Sequence, residues 1–319
     1  MLNPIQSDAK NAATAYFHRI TPSVVRSPAE PEKDNVVGWG IGTKSTDRTA
    51  RSDNGVVRVY VRELPGPTIP ERFGDLPTDV IEVGQIVAYR STASRPPVLC
   101  GVSIGHPNVT AGTLGCLVEK DGNHYILSNN HVLADTNNAT PGDPVIQPGS
   151  VDGGNSPDDD IATLEPYEEI DFSGAPNHID AAIALIGDSN QTLVKSEIID
   201  IGEPMSDPDT AFIDQIVQKR GRTTKHTSGV VVDISGDFWV DYGSETAWFE
   251  DQIVVESTDR SQPPFSEGGD SGSLIVDQMR KPIALLFAGS ESGITVANPI
   301  DLVLNYYNVT IVGEQGADA

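Results

Sequence analysis

This sequence predicts a mainly β protein: two antiparallel barrels or sandwiches, preceded by a small α+β unit. From Pro97 onward the chain is a series of short apolar runs broken by Gly, Asn, Asp and Pro, roughly a dozen over about 215 residues. Long helical periodicity is missing from that part, which argues against a parallel sheet wrapped by helices. Before Pro97 the pattern differs, with one short helical stretch and three strand-like segments.

Residues 4–20 place Ile5, Ala9, Ala12, Ala13, Tyr16, Phe17 and Ile20 roughly on one side of a helix, and Pro22, Pro28 and Pro31 then break it. Strands follow at VVGWGIG (Val36 to Gly42), VVRVYVREL (Val56 to Leu64) and TDVIEVG (Thr78 to Gly84), with a turn through Asp53-Asn54-Gly55. In the second, Val57, Val59 and Val61 alternate with Arg58, Tyr60 and Arg62, the period-two pattern of a half-buried strand. Ser94-Arg95-Pro96-Pro97 reads as an exit linker. Beyond it come GCLVE at Cys116, HYILSN (His124 to Asn129), DAAIALI (Asp180 to Ile186), SGVVVDIS (Ser228 to Ser235), DFWVDY (Asp237 to Tyr242), DQIVVES (Asp251 to Ser257), SLIVD (Ser273 to Asp277) and IALLFAG (Ile283 to Gly289). The domain boundaries expected are a helix and linker at 1–34, a small α+β domain at 35–97, β units at 98–192 and 193–313, and a tail at 314–319.

Composition narrows the function classes. A formal charge of −25 on 319 residues, with no basic stripe, argues against a phosphate-backbone partner. The only short basic cluster is Lys219-Arg220 with Arg222 and Lys225. No stretch approaches eighteen apolar residues and the start lacks a basic, apolar leader, so a cytoplasmic protein without membrane contact is expected. In that reducing setting Cys100 and Cys116 are expected as two buried thiols in preference to a single bridge. The acidic loops at Asp158-Asp159-Asp160 and Asp207-Pro208-Asp209 lack calcium-loop spacing and read as solvated turns.

Chemistry concentrates in FSEGGDSGSLIVD, Phe265 to Asp277. Ser271, flanked by small residues in a Gly-rich turn, is expected to expose its hydroxyl. Glycines at 269 and 272 let the Gly269 and Ser271 amides point at one spot, where a carbonyl oxygen could become an oxyanion. Such a serine needs a base. Of six histidines, His131 stands apart at the end of a strand in SNNHVLAD, where Ser128, Asn129 and Asn130 favour a turn. A carboxylate must then hold the imidazole, and Asp180 opens the apolar strand AAIALI; Asp160, before IATL, is its rival. The spacing favours Asp180, since 49 residues from His131 to Asp180 and 91 from Asp180 to Ser271 put the first two in one β unit and the serine in the next.

In the order His131, Asp180, Ser271, these residues resemble the trypsin/chymotrypsin superfamily of serine peptidases, with SNNHV, DAAIAL and GGDSGS matching its three motifs. More narrowly, the chain resembles bacterial cytosolic trypsin-like proteins and the plant narrow-leaf proteins, through VVGWGIG, LPTDVIEVG, YILSNNHVLA, KRGRTT and VANPI among other segments. The resemblance implies two antiparallel six-stranded β-barrels with the active site between them, an acyl-enzyme at Ser271 and an oxyanion hole at Gly269 and Ser271. Phe265 and Ser266 then look like the base of the specificity pocket, and Phe287, Ala288 and Gly289 like the edge strand that pairs with substrate. With no acid at Phe265, a small or apolar side chain is expected there.

Two departures stand out. Lys225 occupies a turn position where the family has glycine. No activation sequence precedes the first barrel, so Asp270 needs a partner other than a freed amino terminus. No metal or organic cofactor is required by this chemistry, and the expected partner is a protein or peptide substrate, with the N-terminal domain the natural place for control or self-association. An esterase using the same residues and a catalytically silent or partner-activated scaffold are the alternatives.

Overall fold

The computed structural model describes residues 2–20, 35–44, 55–64, 68–84, 86–87, 97–258 and 264–315. The proline break at Pro22, Pro28 and Pro31, the turn residues Asp53 and Asn54, the linker start at Ser94 to Pro96 and the tail from 316 lie outside these residues.

The N-terminal elements are α1 (Pro4–Ile20), β1 (Val36–Gly42), β2 (Val56–Val61), β3 (Arg72–Phe73), β4 (Leu76–Glu82) and β5 (Ile86–Val87). Next come β6 (Val98–Cys100), β7 (Ser103–Ile104), β8 (Gly112–Thr113), β9 (Cys116–Lys120), β10 (Asn123–Ser128), α2 (Asn130–Leu133), β11 (Pro144–Ile146), β12 (Asp160–Leu164), β13 (Ala182–Ile186) and β14 (Val194–Ile198). The remainder is β15 (Ile216–Gly221), β16 (Lys225–Asp241), β17 (Thr246–Ser257), β18 (Leu274–Asp277), β19 (Pro282–Ser290), β20 (Thr295–Pro299), α3 (Ile300–Tyr307) and β21 (Thr310–Ile311). The protein is mainly β, as its sequence predicts.

Two large sheets organise most of these strands, while β6 pairs with β14 and β7 with β8 in two-stranded sheets. A six-stranded sheet runs β11-β12-β13-β10-β9-β21, and an eleven-stranded one runs β15-β18-β19-β20-β17-β16-β1-β2-β4-β3 with β5 attached to β16 and β19. The two segments expected as separate strands at Ser228 to Ser235 and Asp237 to Tyr242 are one seventeen-residue strand, β16. It remains continuous because its register against β17 shifts between Val231 and Asp233, Asp233 and Gly236, and Gly236 and Phe238, bending the strand instead of ending it.

That long hairpin joins the N-terminal strands to the C-terminal half. β1 pairs antiparallel with β16, with Gly38 opposite Phe238 and Trp39 opposite Asp237. Gly38 is required there, because a Cβ would lie 2.3 Å from the Phe238 ring. One face of the N-terminal strands packs on α1 through Ala9, Ala13, Phe17, Trp39, Val57 and Val59. The other face enters the core of Phe238, Phe249 and Phe287 through Val37 and Tyr60. The half-buried pattern expected for β2 is therefore corrected: all six of its residues are buried. Arg58 is tolerated inside because its Nη1 lies 3.5 Å from Glu256 Oε1 and its Nε donates to the Thr43 carbonyl at 2.6 Å.

The C terminus also crosses over. Ile300, Val303, Leu304 and Tyr307 of α3 join the core of the six-stranded sheet, and β21 pairs with β9. Cys100 and Cys116 are free thiols in that same core, and burial pushes the Cys116 thiol up to about 12. Between the two halves, Arg222 grips Asp152 with both nitrogens, Nη2 to Oδ1 at 2.5 Å and Nε to Oδ2 at 3.1 Å. Among the described residues no helix is long and apolar enough to cross a membrane.

Candidate active site

Adjacent strand ends bring His131 and Asp180 together. β10 and β13 are antiparallel, with Ser128 opposite Ala182, so the chain leaving β10 and the chain entering β13 meet at one end of the sheet. His131 lies three residues beyond Ser128, on the one-turn helix α2 and not on the strand itself, which corrects its expected placement. Asp180 lies two residues before Ala182. Its Oδ2 is 2.6 Å from His131 Nδ1, and its Oδ1 accepts the His131 backbone N–H at 3.2 Å. With Nδ1–H donating to the carboxylate, Nε2 is left as the acceptor nitrogen. That atom is buried and has no hydrogen-bond partner among the described residues.

Asp180 is fully buried and held on several sides. Its carbonyl accepts Asn129 Nδ2 at 2.6 Å, and its amide donates to Asn298 Oδ1 at 3.0 Å. Tyr242 Oη donates to Asp180 Oδ2 at 2.8 Å. Asp160, the rival, starts β12 opposite Ile146, and His131 makes its carboxylate contact with Asp180 alone.

The serine loop is shaped by two left-handed glycines, Gly269 at φ 104° and Gly272 at φ 92°. At Gly272 the space is also closed, since a Cβ would lie 2.1 Å from Ser128 Oγ and 2.3 Å from the Thr113 carbonyl oxygen. Thr113 grips the loop twice, donating its N–H to the Ser271 carbonyl at 2.7 Å and its Oγ1–H to the Gly269 carbonyl at 2.8 Å. Ser271 is consequently buried, not exposed as expected, and its Oγ donates to the Phe287 carbonyl at 3.3 Å. The Gly269 N–H has no acceptor among the described residues. Thus Ser271 shares a neighbourhood with the end of β10 that leads into His131, yet no hydrogen bond joins Ser271 Oγ to His131 Nε2.

Asp270 does find an internal partner. Lys219 Nζ, buried on β15, lies 3.2 Å from Asp270 Oδ2. Thr224 Oγ1 donates to the same oxygen at 2.5 Å, and the amides of Thr223, Thr224 and Glu267 donate to the carboxylate at 2.9, 3.2 and 3.1 Å. Burial pulls the Lys219 ammonium down from its usual range while Asp270 opposes the shift. Lys225, which replaces the glycine of the resemblance, adopts φ +61°, the conformation that glycine favours. Its carbonyl accepts Lys219 Nζ at 3.1 Å.

The residues expected to bind substrate are mostly buried. Phe265 sits in the core beneath Lys219 Nζ, 5.6 Å from its ring centre, and Ser266 Oγ is 2.6 Å from Thr295 Oγ1. Phe287 packs on Phe249 at 4.7 Å between ring centres. Ala288 and Gly289 pair with Val296 and Thr295 of β20. On its other side Gly289 pairs with Val87, and Ser290 with Ile86, so β5 of the same chain lies along that edge. A cavity of about 430 Å³ opens nearby between β4 and the β19–β20 turn, where Glu82, Glu256 and Glu291 line it. Among the described residues no three His, Cys, Asp or Glu side chains gather to hold a metal ion.

Sequence reasoning missed Lys219, Thr113 and Tyr242. Lys219 stands out in the sequence only as part of a short basic cluster, and neither Thr113 nor Tyr242 carries a motif.

No family model matches the chain, and no curated protein matches it. Among solved structures it is similar to a glutamic acid-specific serine protease, at 21% identity over 67% of this chain and 100% of that one, with a TM-score of 0.49. Thermobifida fusca protease A is similar at 16% identity over 68% and 99%, with a TM-score of 0.48. A Cellulomonas bogoriensis chymotrypsin follows at 14% identity over 68% and 99%, with a TM-score of 0.46.

Proposed function

We propose that this chain is a serine endopeptidase that works through an acyl-enzyme at Ser271. The observation that carries the reading is the 2.6 Å contact between His131 Nδ1 and Asp180 Oδ2, which leaves the buried Nε2 as a proton acceptor on the sheet end that abuts the Ser271 loop. In this reading Ser271 Oγ attacks the scissile carbonyl carbon and its proton passes to His131 Nε2. The amides of Gly269 and Ser271 receive the oxyanion. His131 then protonates the leaving amine, and water repeats the sequence on the ester. Asp180 holds the imidazole in the required tautomer and stabilises its cation.

Substrates are protein or peptide chains, with a small or apolar side chain preceding the cut, because Phe265 offers no carboxylate to a buried cation. The narrower likeness to bacterial cytosolic trypsin-like proteins, a cytoplasmic location, and control or self-association through the N-terminal unit at 35–97 belong to the same reading. Esters are open to the same chemistry, but the backbone edge at Phe287 to Gly289 suits extended peptides. A latent state is favoured by two observations: Ser271 Oγ bonds to the Phe287 carbonyl instead of His131, and β5 pairs with Gly289 and Ser290.

The test is labelling of the native protein by a fluorophosphonate, mapped by mass spectrometry. Modification of Ser271, lost in Ser271→Ala and His131→Ala, is expected. Modification elsewhere, or none at any pH and in any assembly state, removes the enzyme reading and leaves a protease-fold scaffold.

A further inference from the structure

Asp180 needs more than His131 to stay oriented, because it is fully buried and, among the described residues, no lysine or arginine is paired with it. The groups that satisfy its Oδ2 are His131 Nδ1 and Tyr242 Oη, at 2.6 and 2.8 Å. Tyr242 lies just past β16, at the tip of the β16–β17 hairpin, where its N–H donates to the Glu245 carbonyl at 2.9 Å. Its ring is wedged between Phe172 and His131, at 5.6 and 6.0 Å between centres, with Phe249 at 6.4 Å. Burial and the neighbouring carboxylate push the Tyr242 hydroxyl well above its usual range, so it remains a donor.

The same hairpin holds the backbone that leads into Asp180. The Asn177 N–H donates to the Trp248 carbonyl at 2.8 Å, and the Glu250 N–H to the Asn177 carbonyl at 3.0 Å. Gln252 Nε2 donates to the His178 carbonyl at 3.0 Å, while its Oε1 accepts Asn298 Nδ2, whose own oxygen accepts the Asp180 amide. The hairpin therefore touches the Asp180 side chain directly, and supports its main chain through Asn177, His178 and the Gln252–Asn298 pair, while β1 braces it by pairing with β16.

We infer that Tyr242 is a positioning residue, which fixes the Asp180 carboxylate from the hairpin tip and thereby sets the orientation and basicity of His131. The inference rests on the peptidase reading for its consequence in catalysis. The hydroxyl withdraws part of the charge that Oδ2 would otherwise offer to the imidazolium, and it prevents the carboxylate from rotating away from Nδ1. The other hydroxyl close by, Tyr307 Oη, is already committed to the Ala181 carbonyl at 2.7 Å and leaves Asp180 to Tyr242.

The experiment uses the full chain and the substitution Tyr242→Phe, which keeps the ring in its aromatic cluster and removes only the hydroxyl. His131 is titrated by nitrogen-detected NMR, and the pH dependence of Ser271 labelling by a fluorophosphonate is measured beside it. The His131 pKa is expected to rise by about half a unit or more, and labelling at its plateau to slow about tenfold. Phe172→Leu, which disturbs the same cluster without a bond to Asp180, is expected to leave the titration in place. An unchanged His131 titration in Tyr242→Phe overturns the inference, as does an equal shift in Phe172→Leu. A shifted titration in a chain whose Ser271 is never labelled overturns the peptidase reading instead, and upholds Tyr242 as the residue that sets His131.

Discussion

Lys219 Nζ lies 3.2 Å from Asp270 Oδ2, and neither side chain has any solvent exposure. Asp270 immediately precedes Ser271, so this pair anchors the serine loop to β15 from within the same chain. An ion pair taken wholly out of water stands only because its remaining valences are filled, here by Thr224 Oγ1 and three backbone amides on the carboxylate, and by the Lys225 carbonyl on the ammonium.

Lys219→Met is accordingly expected to cost about 3 to 5 kcal/mol, because it strands a buried carboxylate. Lys219→Met combined with Asp270→Asn should recover a large part of that loss. Urea denaturation of the two single variants and the double variant checks it; strictly additive effects would mean that the two groups do not act as a pair.

Lys225 is held at φ +61° with its carbonyl on Lys219. Lys225→Gly removes the strain of a left-handed residue bearing a Cβ, and is expected to stabilise the protein by about 0.5 to 1 kcal/mol after the cost of a more flexible unfolded chain. A thermal melt is sufficient, and a lower midpoint would refute the expectation.

The pairing of β5 with Gly289 and Ser290 gives a third prediction. In a variant carrying both Ile86→Gly and Val87→Gly the strand should pair less well. Cleavage of an extended peptide is then expected to accelerate several-fold, while labelling by a small fluorophosphonate, which needs no strand edge, stays unchanged. Equal effects on both reactions would dissociate β5 from access to that edge.

Asp233 provides a pH prediction. It is fully buried against Gly40, accepts Tyr60 Oη at 3.1 Å and the Ser235 N–H at 3.0 Å, and burial raises its carboxyl from 3.8 to about 6. Between those values the folded protein keeps a proton that the unfolded chain has lost, so this group's contribution falls as pH rises and is fully lost above about 6. Asp233→Asn imitates the protonated form. Its stability at pH 7.5 is expected to exceed that of the parent by on the order of 2 kcal/mol, with the gap closing towards pH 4. A constant gap in denaturant midpoints across that range would contradict the assignment.

What the sequence determined by itself was local. Short apolar runs between Gly, Asn, Asp and Pro read as strands because period and turn chemistry act over a few residues, and β1, β9, β10, β13 and β19 lie where those signals point. His131 and Asp180 were legible because each flanks a strong strand, and adjacent antiparallel strands carry such flanks to the same end of a sheet. Tertiary structure decided the rest. That β16 runs unbroken for seventeen residues depends on bulges against β17 that no short pattern marks, and that β1 pairs with it and that Arg58 and Tyr60 are buried on the face expected to meet water depend on partners more than a hundred residues away. Lys219 with Asp270, and Tyr242 with Asp180, are 51 and 62 residues apart. No local pattern marks a lysine as buried or a tyrosine as a donor, because both conditions are created by the surfaces that close over them once the sheets have assembled.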